Sequence, residues 1–303
     1  MITVTEVKKK TKFFISKNDV DMTEGSILRH LIIFALPILI GNAFQQLYHT
    51  FDTWVVGQYV SSEAYSAIGS LGPVTRTFIG FFTGLATGTT VVVSQHYGAG
   101  EHDKVNKTVH TGILMAIFFG IVFTVAGTIL TPILLDLSET PPSVRPDAEA
   151  YLNVYFSGIM GLLIYNIGAG VLRAVGDSRR PFIFLIVSSV INVVFDLVFV
   201  LVFPLGVRGV GYATILAQTI SAILVLIALA RSSSCIKFSF RKLKPDLGIL
   251  AKIFKVGLPA GIQMTITAFS NIFVQSYINF FGPEFMGGWT AYNTIDAYAL
   301  LPM

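Results

Sequence analysis

Seven apolar stretches, at about residues 28–54, 66–94, 108–134, 150–172, 181–204, 209–230 and 250–281, follow one another with short polar breaks, and an eighth starts at about 287. Each complete stretch reaches the ~20 residues that one helix needs to cross ~30 Å of hydrocarbon. Inside lipid the backbone must satisfy its own hydrogen bonds, so a chain of such stretches is helical. Composition agrees: 53% of residues are hydrophobic and 13% charged, with a mean hydropathy of +0.70, too few charges to cover a surface in water. The expectation is an all-α integral membrane protein.

A sequence pI of about 9.1 invites a nucleic-acid reading. The basic residues, however, lie between apolar stretches and not along one face, which excludes a nucleic-acid partner. Counted by alternate connections, eighteen of the twenty-one Lys and Arg fall on one side, leaving Arg145 and Arg208 on the other and Arg76 within the second stretch. Lys and Arg collect on the cytoplasmic side, so this asymmetry predicts a multi-pass protein of the cell membrane with a cytoplasmic N-terminus. Residues 1–25, with Lys8, Lys9, Lys10, Lys12 and Lys17, read as a cytoplasmic tail and not as a signal peptide. The single Cys235 gives neither a disulfide framework nor a metal pair, and no nucleophile, phosphate loop or metal cluster lies at a membrane boundary. No cofactor and no enzymatic chemistry are expected.

Residues 27–38 (ILRHLIIFALPI) are echoed by residues 249–260 (ILAKIFKVGLPA), each copy opening a long apolar stretch with a proline, Pro37 or Pro259, where a helix bends. The echo divides the chain into a six-helix N-terminal bundle (26–231), a basic linker (232–248) broken by Pro245, and the start of a second, repeated six-helix bundle (249–303). Six spans per repeat keep both copies in one orientation, with substrate passing between the bundles. Because the chain stops within the eighth stretch, it is expected to be the N-terminal two-thirds of a longer protein.

Polar residues inside the spans are costly, a central charge at least ~2.5 kcal/mol, and mark function. In the first stretch Asn42, Gln45, His49 and Asp52 are spaced by three or four and share one helical stripe. In the fifth, Asn192 and Asp196 are an i, i+4 pair. At 1.5 Å per residue Asp196 lies about 22 Å up a core ~30 Å thick, and Thr214 of the sixth stretch comes down to nearly the same level, with Asp52 there or a little above. Four residues from three helices thus converge as a candidate site for a coupling cation: two close carboxylates can take up and release protons, or, with Asn192 and Thr214, coordinate Na⁺. Asn42, Gln45, His49 and Asn166 are candidates for a polar substrate cavity. Gly80, Gly84 and Gly88, spaced by four, read as a helix-packing face.

Residues 45–57 (QQLYHTFDTWVVG), 96–100 (HYGAG), 172–181 (LRAVGDSRRP), Asn192 with Asp196, and 211–214 (GYAT) together resemble the multidrug and toxic compound extrusion (MATE) family over essentially the whole chain after the tail. The resemblance implies a twelve-helix, two-lobe antiporter, a monomer when full length, that exports small organic cations and amphipathic drugs in exchange for H⁺ or Na⁺. It further implies that Asp52, Asn192, Asp196 and Thr214 match the family's cation-coupling positions. One departure is visible: residues 260–281 contain no Asp or Glu, which leaves coupling to the first lobe. A lipid-linked saccharide flippase is the alternative, but it calls for basic residues inside the spans, and Arg76 is the one there; a receptor or scaffold gives no reason for buried acids or a repeat.

Overall fold

The computed structural model describes residues 27–232, 236 and 238–299. The tail expected at 1–25, Cys235, Lys237 and residues 300–303 lie outside the described residues. Among the described residues all regular structure is helical: α1 (Ile27–Tyr59), α2 (Ser62–Ser70), α3 (Gly72–Gly98), α4 (His102–Leu137), α5 (Arg145–Ser157), α6 (Ile159–Ala174), α7 (Arg179–Leu197), α8 (Val207–Ala230), α9 (Leu247–Phe280) and α10 (Pro283–Ala299), with a short 3₁₀ turn at Phe240–Lys242. Five helical stretches are long and apolar enough to cross a membrane, namely 62–98, α4, 179–202, α8 and α9. The pair α5–α6 makes a sixth if counted as one span, and α1, at 33 residues, has ample length for another. The chain is an all-α, multi-pass membrane protein.

Two apolar stretches that read as uniform helices carry an interruption, the second within one continuous span and the fourth at a bend. The second starts as the separate helix α2, capped by Ser61 through the amide of Ala64, and restarts after Leu71 with Pro73 in the first turn of α3, where a missing N–H costs nothing. The fourth bends by 50° between α5 and α6. Gly158 marks that bend because α8 comes close: a Cβ there would stand 2.2 Å from the Ile215 side chain. Hydropathy sees only that both halves are apolar. By contrast, α1 continues through Pro37 and α9 through Pro259.

The core is formed by Phe82, Phe156, Leu163, Ile167 and Leu172 from α3, α5 and α6, all fully buried. Around it α8 packs on α5, α6 and α7, and α1 on α7. Against the outside of this bundle α9 lies along α3, and the glycines decide how closely. A Cβ at Gly84 would fall 2.1 Å from the Gly261 nitrogen, and one at Gly88 2.7 Å from the Gly257 nitrogen. The packing face read at Gly84 and Gly88 therefore meets a matching glycine pair on the repeated helix, and backbone lies directly on backbone.

From Phe238 on, the described part of the basic linker is pinned down. Ile236 and Phe238 are buried, the Ser239 amide donates to His110 Nε2 at 3.2 Å, and the Asp246 amide donates to Thr111 Oγ1 at 3.1 Å. His110 Nδ1 is 2.7 Å from the Asn106 carbonyl, so it carries the ring proton and leaves Nε2 free to accept. Asp246 then caps α9 through the Ile249 amide and pairs with Lys107 Nζ at 3.4 Å.

Candidate cation and substrate site

Three helices bring the polar residues together. On α1 the spacing of three and four residues puts Gln45, Tyr48 and Asp52 on one stripe facing into the bundle; on α7 Asn192 and Asp196 do the same, and on α8 Thr214 and Gln218. Asp52 and Thr214 are 3% and 4% exposed, Asn192 and Asp196 0%, deeper burial than charged and amide side chains normally accept. Thr214 Oγ1 lies 3.5 Å from Asp52 Oδ2 and 3.0 Å from the Val210 carbonyl. The Asp196, Thr214 and Asn192 side chains all gather at the Asp52 carboxyl. His49 Nδ1 stands 4.0 Å from Asp52 Oδ2, at the rim, with half of its side chain exposed.

What sets this cluster apart is what it lacks. Asp52 Oδ1, both Asp196 oxygens and both polar atoms of the Asn192 amide are buried without a hydrogen-bond partner. Each such atom costs about 1–3 kcal/mol, more for a charged group. Two carboxylates, an amide oxygen and a hydroxyl are hard oxygen donors, and the atoms left unpaired are those a proton or a small hard cation would satisfy. Directly after Asp196 the helix widens into a π turn at Val198–Val202, a local irregularity that frequently accompanies functional positions.

Beside the cluster lies a cavity of about 280 Å³, whose polar lining includes Gln45, His49, Asn166, Thr214 and Gln218. Thr214 belongs to both, since it touches Asp52 and also lines the cavity. Asn42 does not join them: it is exposed and stands away from this cavity, while Gly41 takes the inward position one turn down, where a Cβ would be 3.1 Å from the Leu185 side chain.

Several residues at the site were not singled out from the sequence. Tyr48 is 5% exposed and its hydroxyl accepts from Gln218 Nε2 at 3.3 Å, tying α1 to α8. Tyr155 lines the cavity and stacks on Tyr151 at 6.0 Å, and Tyr151 in turn lies within electrostatic reach of Asp52 and Asp196. The stripe spacing of α1 already included Tyr48. Nothing in hydropathy marks Tyr151, because the bend at Gly158 is what aims α5 at the site.

The loop motifs are structural. In 96–100 His96 Nδ1 meets Glu101 Oε2 at 2.6 Å, and Gly100 takes a φ of 72° that favours glycine. Lys104, then His96, holds the Glu101 carboxyl below the usual carboxylate range. In 172–181 Gly176 turns the chain at φ 92°, and Asp177 Oδ1 caps α7 by accepting from the Arg179 and Arg180 amides while its other oxygen pairs with Arg180.

The MatE family model matches residues 37–198, from the proline of α1 to the first residue after α7. The chain belongs to the MatE family. Within this family the chain is 32% identical over 282 residues to the probable multidrug resistance protein YpnP of Bacillus subtilis (strain 168), covering 93% of this chain and 63% of that protein. It is 28% identical over 284 residues to the probable multidrug resistance protein NorM of Thermotoga maritima, covering 91% and 60%. The chain thus spans somewhat under two thirds of the length of the curated MatE relatives it matches. Among solved structures, an inward-facing MATE transporter superposes with a TM-score of 0.78 at 22% identity, over 85% of this chain and 59% of the other. An outward-facing one gives 0.78 at 23%, over 95% and 64%. The fold is that of a MatE transporter.

Proposed function

We propose that this MatE chain is part of a secondary active efflux transporter that exports small cationic or amphipathic organic compounds in exchange for H⁺ or Na⁺, acting as a monomer in the cell membrane with its N-terminus in the cytoplasm. The partnerless buried atoms of Asp52, Asn192 and Asp196, joined to the neighbouring cavity through Thr214, support this reading above all. The names of the two relatives, both probable multidrug resistance proteins, support the substrate class, and the lopsided placement of Lys and Arg supports the orientation.

The coupling follows from electrostatics. Without a cation the two carboxylates repel across a medium of low dielectric, which pushes α1 away from α7. A cation between them draws α1, α7 and α8 together. Thr214 and the Tyr48–Gln218 bond carry that shift to the cavity wall, so the filled and empty states differ in the cavity they offer a substrate. A ligand that prefers one wall arrangement is then released when the cation binds, which is exchange.

Asp196→Asn tests this directly. In proteoliposomes containing the full-length protein, the variant is expected to lose gradient-driven efflux while still binding substrate; efflux at the normal rate would overturn the proposal. A pH gradient without sodium, and a sodium gradient at equal pH, assign the coupling ion.

A further inference from the structure

The polar groups do not end at the carboxylates. Measured from Arg179 and Ala230, the ends of α7 and α8 beside the basic loops, Asp196 and Thr214 stand at one level, Asn192 and Gln218 at the next, and Ser188 and Ser221 at a third. Each step is three or four residues, or about 5–6 Å, which one water molecule can bridge. Ser188 and Ser189 are 5% exposed and Ser221 is 1%. A buried helical serine ordinarily returns its proton to a carbonyl three or four residues back, as Ser188 and Ser189 do to Leu185 and Thr214 does to Val210. Ser221 does not: its hydroxyl is buried and without a partner. Packing does not explain a bare hydroxyl at that place, where alanine would fit without the penalty.

Beyond Ser221 the same stripe of α8 turns dry. Val225 and Leu229 are fully buried, and Val225 presses on α6 at Gly168, where a Cβ would be 2.8 Å from its side chain. The polar ladder therefore runs from the carboxylates toward the basic-loop end and stops at an apolar plug.

We propose that the coupling cation, H⁺ or Na⁺, leaves the carboxylate site along the inner stripe of α8, past Asn192 of α7 and Gln218 to Ser221, and that Val225, pressed on α6, is the gate closing this route in the conformation described. The inference rests on the exchange reading above and adds its exit path. Ser221 hands the cation on by its hydroxyl, directly or through one water, and the route opens when α8 moves off α6.

The test uses the full-length transporter in proteoliposomes, with ethidium as the substrate probe and with the pH and sodium gradients applied separately. Ser221→Ala is expected to slow efflux about tenfold under whichever gradient drives the wild type, the effect of losing one hydrogen bond on the path. Ethidium affinity should stay unchanged, and Ser221→Thr, which keeps the hydroxyl, should restore the rate. Val225→Ser should wet the plug and let the same ion leak without ethidium. Wild-type efflux by Ser221→Ala, a deficit that Ser221→Thr fails to restore, or a tight Val225→Ser would each overturn the path. Asp196→Asn run alongside separates the two readings: if it loses efflux while Ser221→Ala keeps it, the carboxylate site stands and the path falls.

Discussion

The two helices that start alike, α1 and α9, end up with opposite work. α1 turns its polar stripe into the bundle and buries Asp52 against α7 and α8; α9 lies outside the bundle and buries Gly257 and Gly261 against α3. At 274–276, where the repeat would place a counterpart of Asp52, the buried residue is Gln275, a neutral amide 1% exposed. It donates to Asn279 Oδ1 at 2.8 Å, and Asn279 donates to the Ser138 carbonyl, so these amides fasten α9 to the loop after α4. A duplicated helix start thus fixes where a span begins and leaves its buried face free to serve ion chemistry in one copy and attachment in the other.

The contrast can be attacked from the attachment side first, where the largest effect is expected. Gly84→Ala puts a methyl onto the α9 backbone with no flexible side chain to yield, so a loss of about 3 kcal/mol is expected, seen as a large fall in Tm in detergent. Asp52→Asn probes the chemical side. Efflux driven by an ion gradient should fall by about a hundredfold or more, while Tm stays level or rises because a buried carboxylate has been neutralised. Unequal outcomes in that direction for the two variants are what the comparison demands; a Gly84→Ala protein that is stable but uncoupled would erase it. Gln275→Ala should cost about 1 kcal/mol in stability and leave the coupling ratio alone.

The smallest effect concerns Asp246. The Ile249 amide, and with it Lys107, holds this carboxyl below its usual range, so its contribution is present above the ordinary carboxylate pKa and is lost as pH falls through the depressed one. Asp246→Asn should lower Tm slightly at neutral pH, and thermal melts should show that gap closing in acid.

Much of this could be read in the chain. The all-helical membrane character and the α1 and α7 stripes follow from periodicity, because one side of each helix must be polar where the other is apolar. Asp52, Asp196 and Thr214 could be set near one level, with Asn192 one turn away on the Asp196 stripe, because helical rise is constant. Asn42 lies off the cavity because a spacing of three or four leaves two candidates for the inward position, and Gly41 takes it. Tyr151 and Tyr155 were hidden by the 50° bend, and the π turn after Asp196 by the fact that Val198–Val202 is uniformly apolar whichever ladder its carbonyls join. Close backbone crossings such as Gly84 on Gly261 name themselves only once both partners are known.

The pinned linker has a mechanical meaning. Held at His110 and Thr111, its stretch from Ser239 to Asp246 is a bracket belonging to the first bundle. The start of the second repeat is thus held twice, at Asp246 and again where Gly257 and Gly261, on either side of Pro259, meet α3, so any rocking against the first bundle has to part that backbone contact.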